Sequence, residues 1–194
     1  RMRPSKKSRK SDAFHEILVT GGAGFIGAHL VLALQKRHPQ ARITVVDDFR
    51  SGDFRNLEGY RGDLVAQDIA HYEGKADFNL IFHLASITDT TVHDQRKMVA
   101  DNVEGFRNVL RIAKASSAKV VYASSAAVYG KVSERTAEES ASKPANVYAF
   151  SKVLLDNLAA RAWEDGIRVS GVRYFNVYGP GEAHKGAVAS MIHQ

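Results

Sequence analysis

Cysteine is absent from the 194 residues, and no apolar run is long enough to cross a bilayer. The first absence excludes disulfides and thiolate metal sites and makes a reducing cytoplasm the expected location. The second gives no reason to expect a membrane partner. The remaining composition is that of an ordinary globular protein, with 44% hydrophobic and 25% charged residues, and the length suits one well-packed core.

Acidic residues are missing from the first ten positions, and this gap accounts for the net charge of +6. The six cations in that stretch are Arg1, Arg3, Lys6, Lys7, Arg9 and Lys10. Of the 27 basic residues 21 remain elsewhere, and they balance the 21 acidic ones. We therefore expect no nucleic-acid partner, although such a tail could contact phosphate groups. Residues 1–13 are predicted to be a basic disordered tail or an expression remnant.

A short apolar strand, a glycine turn and a helix start follow one another from Ile17 to Leu34. The glycines are spaced Gly21-x-x-Gly24-x-x-Gly27. In this context the first permits a turn, the second lets the backbone approach a pyrophosphate, and the third lets helix and strand pack closely. The helix N-terminus then faces the anion. We predict a dinucleotide cradle rather than a purely structural turn, with contacts from Gly21, Gly24, Phe25, Ile26 and Gly27.

A second predicted strand, Arg42–Asp47, ends in a carboxylate 20 residues beyond Gly27. That is where a dinucleotide-binding fold places the group that binds the adenosine ribose. We expect Asp47 and Asp48 to contact the cofactor. Arg50 follows them and could accept a 2′-phosphate, so charge alone leaves NAD and NADP both open.

Two further strands are predicted over residues 62–69 and 78–86. Asp68 ends the first and could reach the adenine, or it could be a solvated turn residue. The second is almost continuously apolar, as in a sheet covered on both faces. His83, near its end, has no partner at metal-ligand spacing and is interpreted as a hydrogen-bonded structural residue. Further cofactor contacts are predicted at Ile69, Leu84, Ala85 and Ser86.

The rest of the chain alternates helices with strands. Apolar spacing predicts helices over residues 98–115 and 148–163, and strands over residues 119–124 and 168–175. Asn102, in the first of these helices, could serve the cofactor or only a helix contact. This alternation predicts an α/β fold with a doubly wound parallel sheet.

Three residues after the fifth strand carry the chemistry. Tyr148 and Lys152 are four positions apart and so share a helix face, while Ser125 closes a strand at the edge where ligands bind. A tyrosine is a poor base at neutral pH, so we expect Lys152, together with the positive nicotinamide ring of the cofactor, to favour the phenolate and lower the pKa of Tyr148. Ser125 would hold the reacting hydroxyl.

These motifs, with Arg173–Pro180, resemble the extended short-chain dehydrogenases/reductases, the group that contains nucleotide-sugar epimerases and dehydratases. The resemblance covers residues 14–194. It implies a Rossmann domain at 14–180, the start of a substrate-binding region at 181–194 with most of that domain lying beyond this chain, and a bound nicotinamide cofactor. It also implies a nucleotide-sugar substrate and self-association through the two long helices.

The stretch from Phe175 to Gly186 is similar to bacterial ADP-glyceromanno-heptose 6-epimerases, in which the lysine of a His-Lys-Gly segment is a second acid/base. That residue is Lys185 here, and the resemblance implies a 6-keto intermediate with Tyr148 and Lys185 on opposite faces. Alternatively, Lys185 only neutralises a substrate phosphate. The resemblance favours NADP, with NAD possible. Further predicted contacts are Val177 with the cofactor and Thr88, Ser125, Asn176 and His184 with the substrate.

Two alternatives remain open. The first is another sugar-nucleotide enzyme, such as a UDP-hexose 4-epimerase or a 4,6-dehydratase. Ala126-Ala127 counts against a dehydratase, which would need an acidic pair there. The second alternative is a dinucleotide-binding scaffold that docks through its basic tail.

Overall fold

The computed structural model describes residues 14–88, 94–131, 137–140 and 142–180, so the predictions for the tail 1–13 and for residues 181–194, including His184 and Lys185, lie outside it. Within these residues six strands and three α-helices follow one another. The strands are β1 (Glu16–Thr20), β2 (Arg42–Asp47), β3 (Asp63–Ala66), β4 (Leu80–His83), β5 (Lys119–Ser125) and β6 (Val169–Tyr174). The helices are α1 (Phe25–Arg37), α2 (Gln95–Ser116) and α3 (Val147–Glu164).

The described strands form one parallel sheet in the order β3-β2-β1-β4-β5-β6. The chain runs outward from β1 to β3 and then returns to the other side of β1 for β4. This reversal leaves a crevice at the carboxyl ends of β1 and β4, which is where open sheets of this kind bind ligands. The predicted doubly wound parallel sheet is confirmed.

Two apolar clusters cover the sheet, one on each face. On one face α2 and α3 bury residues such as Phe106 and Leu155 against Leu18 of β1. On the other face α1 buries Val31 against Ile17 and Val45. Because β1, β2 and β4 are covered on both sides, their sequences are apolar almost throughout. No helix in the described part of the chain is long and apolar enough to span a membrane.

Side-chain caps decide where the long helices begin. Helix α2 starts three residues earlier than predicted because the Asp94 carboxylate accepts the Lys97 N–H at 2.9 Å. Helix α3 starts at Val147 because Asn146 accepts the Ala149 N–H at 2.8 Å. Strand β2 has the predicted bounds, and β5 is one residue longer than predicted.

The predicted third, fourth and sixth strands are too long. Strand β3 ends at Ala66 because the Asp68 carboxylate accepts the Ala70 N–H at 2.9 Å and starts a 3-10 turn. Strand β4 ends at His83 instead of residue 86 because its partner strand β1 ends at Thr20, before Gly21 turns the chain away with a φ of 69°. Strand β6 covers residues 169–174 of the predicted 168–175.

Candidate active site

A cavity of about 900 Å³ lies at the carboxyl ends of the strands. Every predicted site residue that the structure describes lines it. These are Gly21, Gly24, Phe25, Ile26, Gly27, Asp47, Asp48, Arg50, Asp68, Ile69, Leu84, Ala85, Ser86, Thr88, Asn102, Ser125, Tyr148, Lys152, Asn176 and Val177. Residues at the carboxyl ends of all six strands, together with residues of α2 and α3, are thus brought to one crevice by the parallel topology.

The glycine turn at the centre of the cavity excludes side chains at two of its three positions. A Cβ on Gly27 would lie 2.0 Å from the Gly21 carbonyl oxygen, and one on Gly21 would lie 2.5 Å from the Ala85 nitrogen. On Gly24, which begins α1, a Cβ would approach only the Gly21 oxygen, at 3.3 Å. The first turn of α1 lines the cavity, and the N–H groups at the start of a helix, which lack partners within the helix, are suited to hold an anion.

The Asp47 carboxylate holds the glycine turn and the following loop together. Its Oδ2 accepts the Ala23 N–H and its Oδ1 accepts the Phe49 N–H, both at 2.8 Å. Burial raises the pKa of Asp47, and the two backbone hydrogen bonds oppose that shift. Sequence reasoning assigned Asp47 to a ribose and missed this second role, because the contact with Ala23 crosses from β2 to the turn after β1.

Three carboxylates from separate parts of the chain surround the Arg50 guanidinium. Its Nε lies 2.6 Å from Asp48, its Nη2 lies 3.0 Å from Asp68, and its Nη1 binds Asp101 on α2. Asp101 also lines the cavity and was not predicted from sequence. Together with Asp47, this end of the cavity therefore carries four carboxylates and one guanidinium.

Ser125, Tyr148 and Lys152 come together at the end of β5, which lies two strands from β1 in the sheet. A hydrogen bond joins the side chains of Tyr148 and Ser125. The Lys152 ammonium lies 5.7 Å from the centre of the Tyr148 ring and donates to the Ala123 carbonyl at 2.9 Å. Burial lowers the pKa of Lys152 to about 8, although Asp156 opposes the shift. The ammonium is therefore close to its titration point near neutral pH.

The protein surroundings of Tyr148 shift its pKa upward, and the lowering expected from Lys152 and the nicotinamide ring together stays a prediction. Burial raises the pKa above the ordinary value for tyrosine, and the hydrogen bond with Ser125 lowers it by less. Desolvation of the phenolate is therefore the largest influence on this pKa, and the Lys152 ammonium is engaged with the Ala123 carbonyl.

Asn102 uses its amide to hold the loop after β4. Its Oδ1 accepts the Ile87 N–H at 2.8 Å, and its Nδ2 donates to the Ser151 hydroxyl at 2.9 Å. The side chain is buried at the cavity wall. From sequence, Asn102 could serve either the cofactor or a helix contact. Its hydrogen bonds correspond to the helix contact, and they also hold the loop that carries Ser86 and Thr88.

His83 makes the hydrogen bond that the sequence suggested. Its Nδ1 lies 2.8 Å from the Thr20 hydroxyl, and its ring stacks on Phe106. Burial lowers the pKa of His83 to about 3, with the Lys152 charge as a second cause. The ring is therefore neutral at physiological pH. Among the described residues, no group of three potential metal ligands occurs.

The glycine cradle at the centre of the cavity and the Ser–Tyr–Lys group at one end define a dinucleotide-binding protein of the short-chain dehydrogenase/reductase class. Residues 17–194 match the family described as "NAD dependent epimerase/dehydratase family", and the chain belongs to that family.

The similar proteins are sugar-nucleotide enzymes. The chain is 40% identical to the ADP-L-glycero-D-manno-heptose-6-epimerase of Alkalilimnicola ehrlichii over 91% of its own length and 58% of that protein. The crystal structure of the Helicobacter pylori enzyme of the same name shares 40% identity with a TM-score of 0.83, over 93% of this chain and 61% of that one. A Bacillus cereus UDP-glucuronic acid 4-epimerase in complex with NAD shares 28% identity with a TM-score of 0.78, over 85% and 57%. The chain thus spans about three fifths of these relatives.

Proposed function

We propose that this chain is the cofactor-binding and catalytic part of a nucleotide-sugar epimerase that acts at C6 of an ADP-heptose. The observation that carries the proposal is the meeting of Ser125, Tyr148 and Lys152 at one end of a cavity with a glycine cradle at its centre. The similarity to heptose epimerases supports the choice of sugar.

A nicotinamide dinucleotide fits the residues present. Gly21, Gly24 and Gly27 would hold the diphosphate at the start of α1, and Asp47 would face the adenosine ribose. Lys152 would bind the nicotinamide ribose. Such a cofactor would supply reversible hydride transfer at the sugar carbon, so that the net reaction would change only the configuration of that carbon.

The side chains of this chain manage the proton and the orientation of the sugar. Ser125 would hold the reacting hydroxyl against Tyr148, whose phenolate would take its proton as the C–H bond breaks. The burial that raises the Tyr148 pKa has to be overcome by the positive charges of Lys152 and of the oxidised cofactor. When the keto group is reduced on its other face, its oxygen would take a proton from a second acid/base, and proton exchange with solvent would restore both groups.

Epimerisation also needs an acid/base on the opposite face of the sugar. The proposed group is Lys185, with His184, Asn176 and Thr88 as substrate contacts. Asn176 and Thr88 line the cavity, which supports their assignment, while Lys185 and His184 rest on the resemblance alone. The boundary between the Rossmann domain and the substrate-binding region near residue 180 stays a prediction.

The charges around Arg50 support NAD over NADP, against the preference that the resemblance implied. A 2′-phosphate would need a free cation at the ribose, but the Arg50 guanidinium is already bound by three carboxylates. A phosphate dianion placed there would also face Asp47. We therefore propose NAD as the preferred cofactor.

Further parts of the proposal concern assembly and location. We propose self-association through the outer surfaces of α2 and α3, which lie side by side on one face of the sheet. The family resemblance supports this choice of surface. The lack of cysteine supports the reducing cytoplasm as the location.

The proposed activity is tested by proton NMR of ADP-D-glycero-manno-heptose incubated with the protein in its full natural length. We expect the L-glycero epimer to appear, and we expect Tyr148→Phe to slow its formation at least ~100-fold, since general acid–base catalysis contributes 10²–10⁴-fold. Lys185→Met should abolish epimerisation in the same assay.

Two results would redirect the proposal. Conversion of UDP-glucose to UDP-galactose, with no reaction of the heptose, would favour a UDP-hexose 4-epimerase. NAD binding without turnover of either sugar would favour the dinucleotide-binding scaffold. Binding to an anionic partner that weakens with salt and is lost on deletion of residues 1–10 would support that alternative.

A further inference from the structure

A cluster of hydrogen bonds outside the cavity joins α3 to β5 and β6. The Asp156 carboxylate accepts the Tyr122 hydroxyl at 2.8 Å through Oδ1. Its Oδ2 accepts the Arg173 Nη2 at 3.0 Å and Nε at 3.2 Å. Gly171 makes room for this arrangement, because a Cβ there would lie 2.7 Å from the Tyr122 hydroxyl oxygen. A strand without a side chain at that position thus lets Tyr122 reach the helix.

Asp156 lies on the same face of α3 as Tyr148 and Lys152. Tyr148, Lys152 and Asp156 follow one another at intervals of four residues, so they lie one above the other on a single helix face. The side chain of Asp156 is 16% exposed and that of Arg173 is 25% exposed, so the pair is largely shielded from water. The ion pair therefore anchors α3 one turn beyond Lys152.

The other side of Arg173 reaches the turn that follows Ser125. Its Nη1 donates to the Tyr129 hydroxyl and to the Glu138 carbonyl, both at 2.8 Å, and its guanidinium carbon lies 5.0 Å from the centre of the Tyr129 ring. Tyr129 ends the 3-10 turn that Ser125 caps through its own hydroxyl. One guanidinium thus holds both the helix with Tyr148 and Lys152 and the turn with Ser125.

We infer that Arg173 and Asp156 are positioning residues that set the distance between Ser125 and the Tyr148–Lys152 pair. We call them the Arg173–Asp156 clamp. The inference rests on the proposed function for its kinetic consequence but on geometry alone for its structural one. Neither residue lines the cavity, so the clamp acts through the residues it holds.

The clamp also sets the charge near Lys152. The groups that act on Lys152 are Tyr148 and Asp156 on α3 and neutral His83 on β4. Tyr122 on β5 and Arg173 on β6 both bind Asp156, so losing Arg173 leaves the Asp156 charge uncompensated. Helix α2 meets this part of α3 through uncharged Asn102. The Asp156 carboxylate raises the pKa of Lys152 against the effect of burial. Losing Asp156 should therefore lower that pKa, and losing Arg173 should raise it.

The experiment compares Arg173→Met, Asp156→Asn and Arg173→Lys. Arg168→Met is the matched control, because Arg168 immediately precedes β6 and its side chain donates to the Ser117 carbonyl at 2.9 Å, away from Asp156 and Tyr129. NAD affinity is measured from pH 7 to 10, since loss of the Lys152 proton weakens contact with the nicotinamide ribose. Hydrogen exchange of the peptide over residues 126–131 and the rates kcat and KM are measured on the same proteins.

We expect the midpoint of the NAD affinity curve to move to higher pH in Arg173→Met and to lower pH in Asp156→Asn. Arg173→Lys keeps the positive charge but loses the guanidinium that binds Asp156 and Tyr129 at once. The pH midpoint of NAD affinity should therefore stay unchanged while kcat falls. Displacing a catalytic group by about 1 Å lowers the rate on the order of 100-fold. We therefore expect kcat of Arg173→Lys to fall by that factor, with KM nearly unchanged. Exchange should quicken at residues 126–131 in Arg173→Met and Arg173→Lys but not in Arg168→Met.

Midpoints that move in the same direction, or exchange at residues 126–131 that equals the wild type, would overturn the inference. Failure of the proposed function gives a different pattern. If the wild type binds NAD but epimerises no sugar, the affinity and exchange measurements still decide on the clamp. If it does not bind NAD, exchange decides alone.

Discussion

At the scale of single residues, Arg50 shows how neighbours change what a side chain offers a ligand. An arginine two residues after Asp48 suggests a phosphate contact, because a guanidinium matches phosphate geometry. Here Asp48, Asp68 and Asp101 already occupy that guanidinium. A cofactor with an extra phosphate would have to compete with them and would add negative charge to an acidic surface.

This arrangement predicts tighter binding of NAD than of NADP, by about tenfold or more, which corresponds to about 1.4 kcal/mol. The measurement is isothermal titration calorimetry with each cofactor. Asp101→Asn should reduce the difference in affinity between NAD and NADP, because it frees one nitrogen of Arg50 and removes one negative charge. Asp53→Asn is the control, since Asp53 pairs with Arg55 outside the lining of the cavity. Equal or tighter binding of NADP by the wild type would refute the prediction.

At the scale of elements, the contact between α1 and the glycine turn depends on two glycines in different ways. Gly27 brings the helix against backbone atoms of Gly21 and Gly22, which have no room to move aside. Gly24 has φ of −73° and ψ of 169°, values that alanine adopts without strain, and it faces the opening of the cavity. The first glycine therefore serves packing, and the second serves the approach of a ligand.

Gly27→Ala should lower the free energy of unfolding by about 1–3 kcal/mol, the usual cost of overpacking a tight contact. Gly24→Ala should change it by less than about 1 kcal/mol, because the backbone conformation suits alanine. Only Gly24→Ala should weaken NAD binding while leaving stability nearly intact. Urea unfolding and calorimetry of the two variants check this, and equal losses of stability would contradict it.

At the scale of the whole molecule, buried His83 links folding to pH. Its ring must stay neutral in the folded protein, where burial lowers the pKa to about 3, whereas the unfolded chain takes up a proton near pH 6.5. Below that value the unfolded state binds more protons, so stability falls as the pH falls. The stabilisation is therefore fully present above pH 6.5 and is lost progressively toward pH 3.

We expect the free energy of unfolding to fall by about 2 kcal/mol between pH 7.5 and pH 5 because of His83. The measurement is urea unfolding at several pH values. His83→Gln should remove this pH dependence of the unfolding free energy, whatever its effect on stability at neutral pH. His71→Gln is the control, because His71 is exposed, and it should keep the pH dependence. A slope that survives in His83→Gln would show that other groups carry it.

The sequence by itself determined the features that depend on short spacing. The glycine turn, the carboxylate at the end of β2 and the shared helix face of Tyr148 and Lys152 are local, so periodicity and turn chemistry predict them. Alternation of helices and strands then leads to the parallel sheet, because a crossover helix is how parallel strands connect. That topology brings the predicted site residues to one edge.

Only the tertiary structure decided the features that depend on contacts between distant segments. The partners of Arg50 come from two loops and α2, and the partners of Arg173 come from α3 and two turns. The pKa of Tyr148 rises because the folded protein removes water from the phenol. Desolvation and long-range ion pairs are set by which surfaces meet in the fold, and residue spacing along the chain does not contain that information.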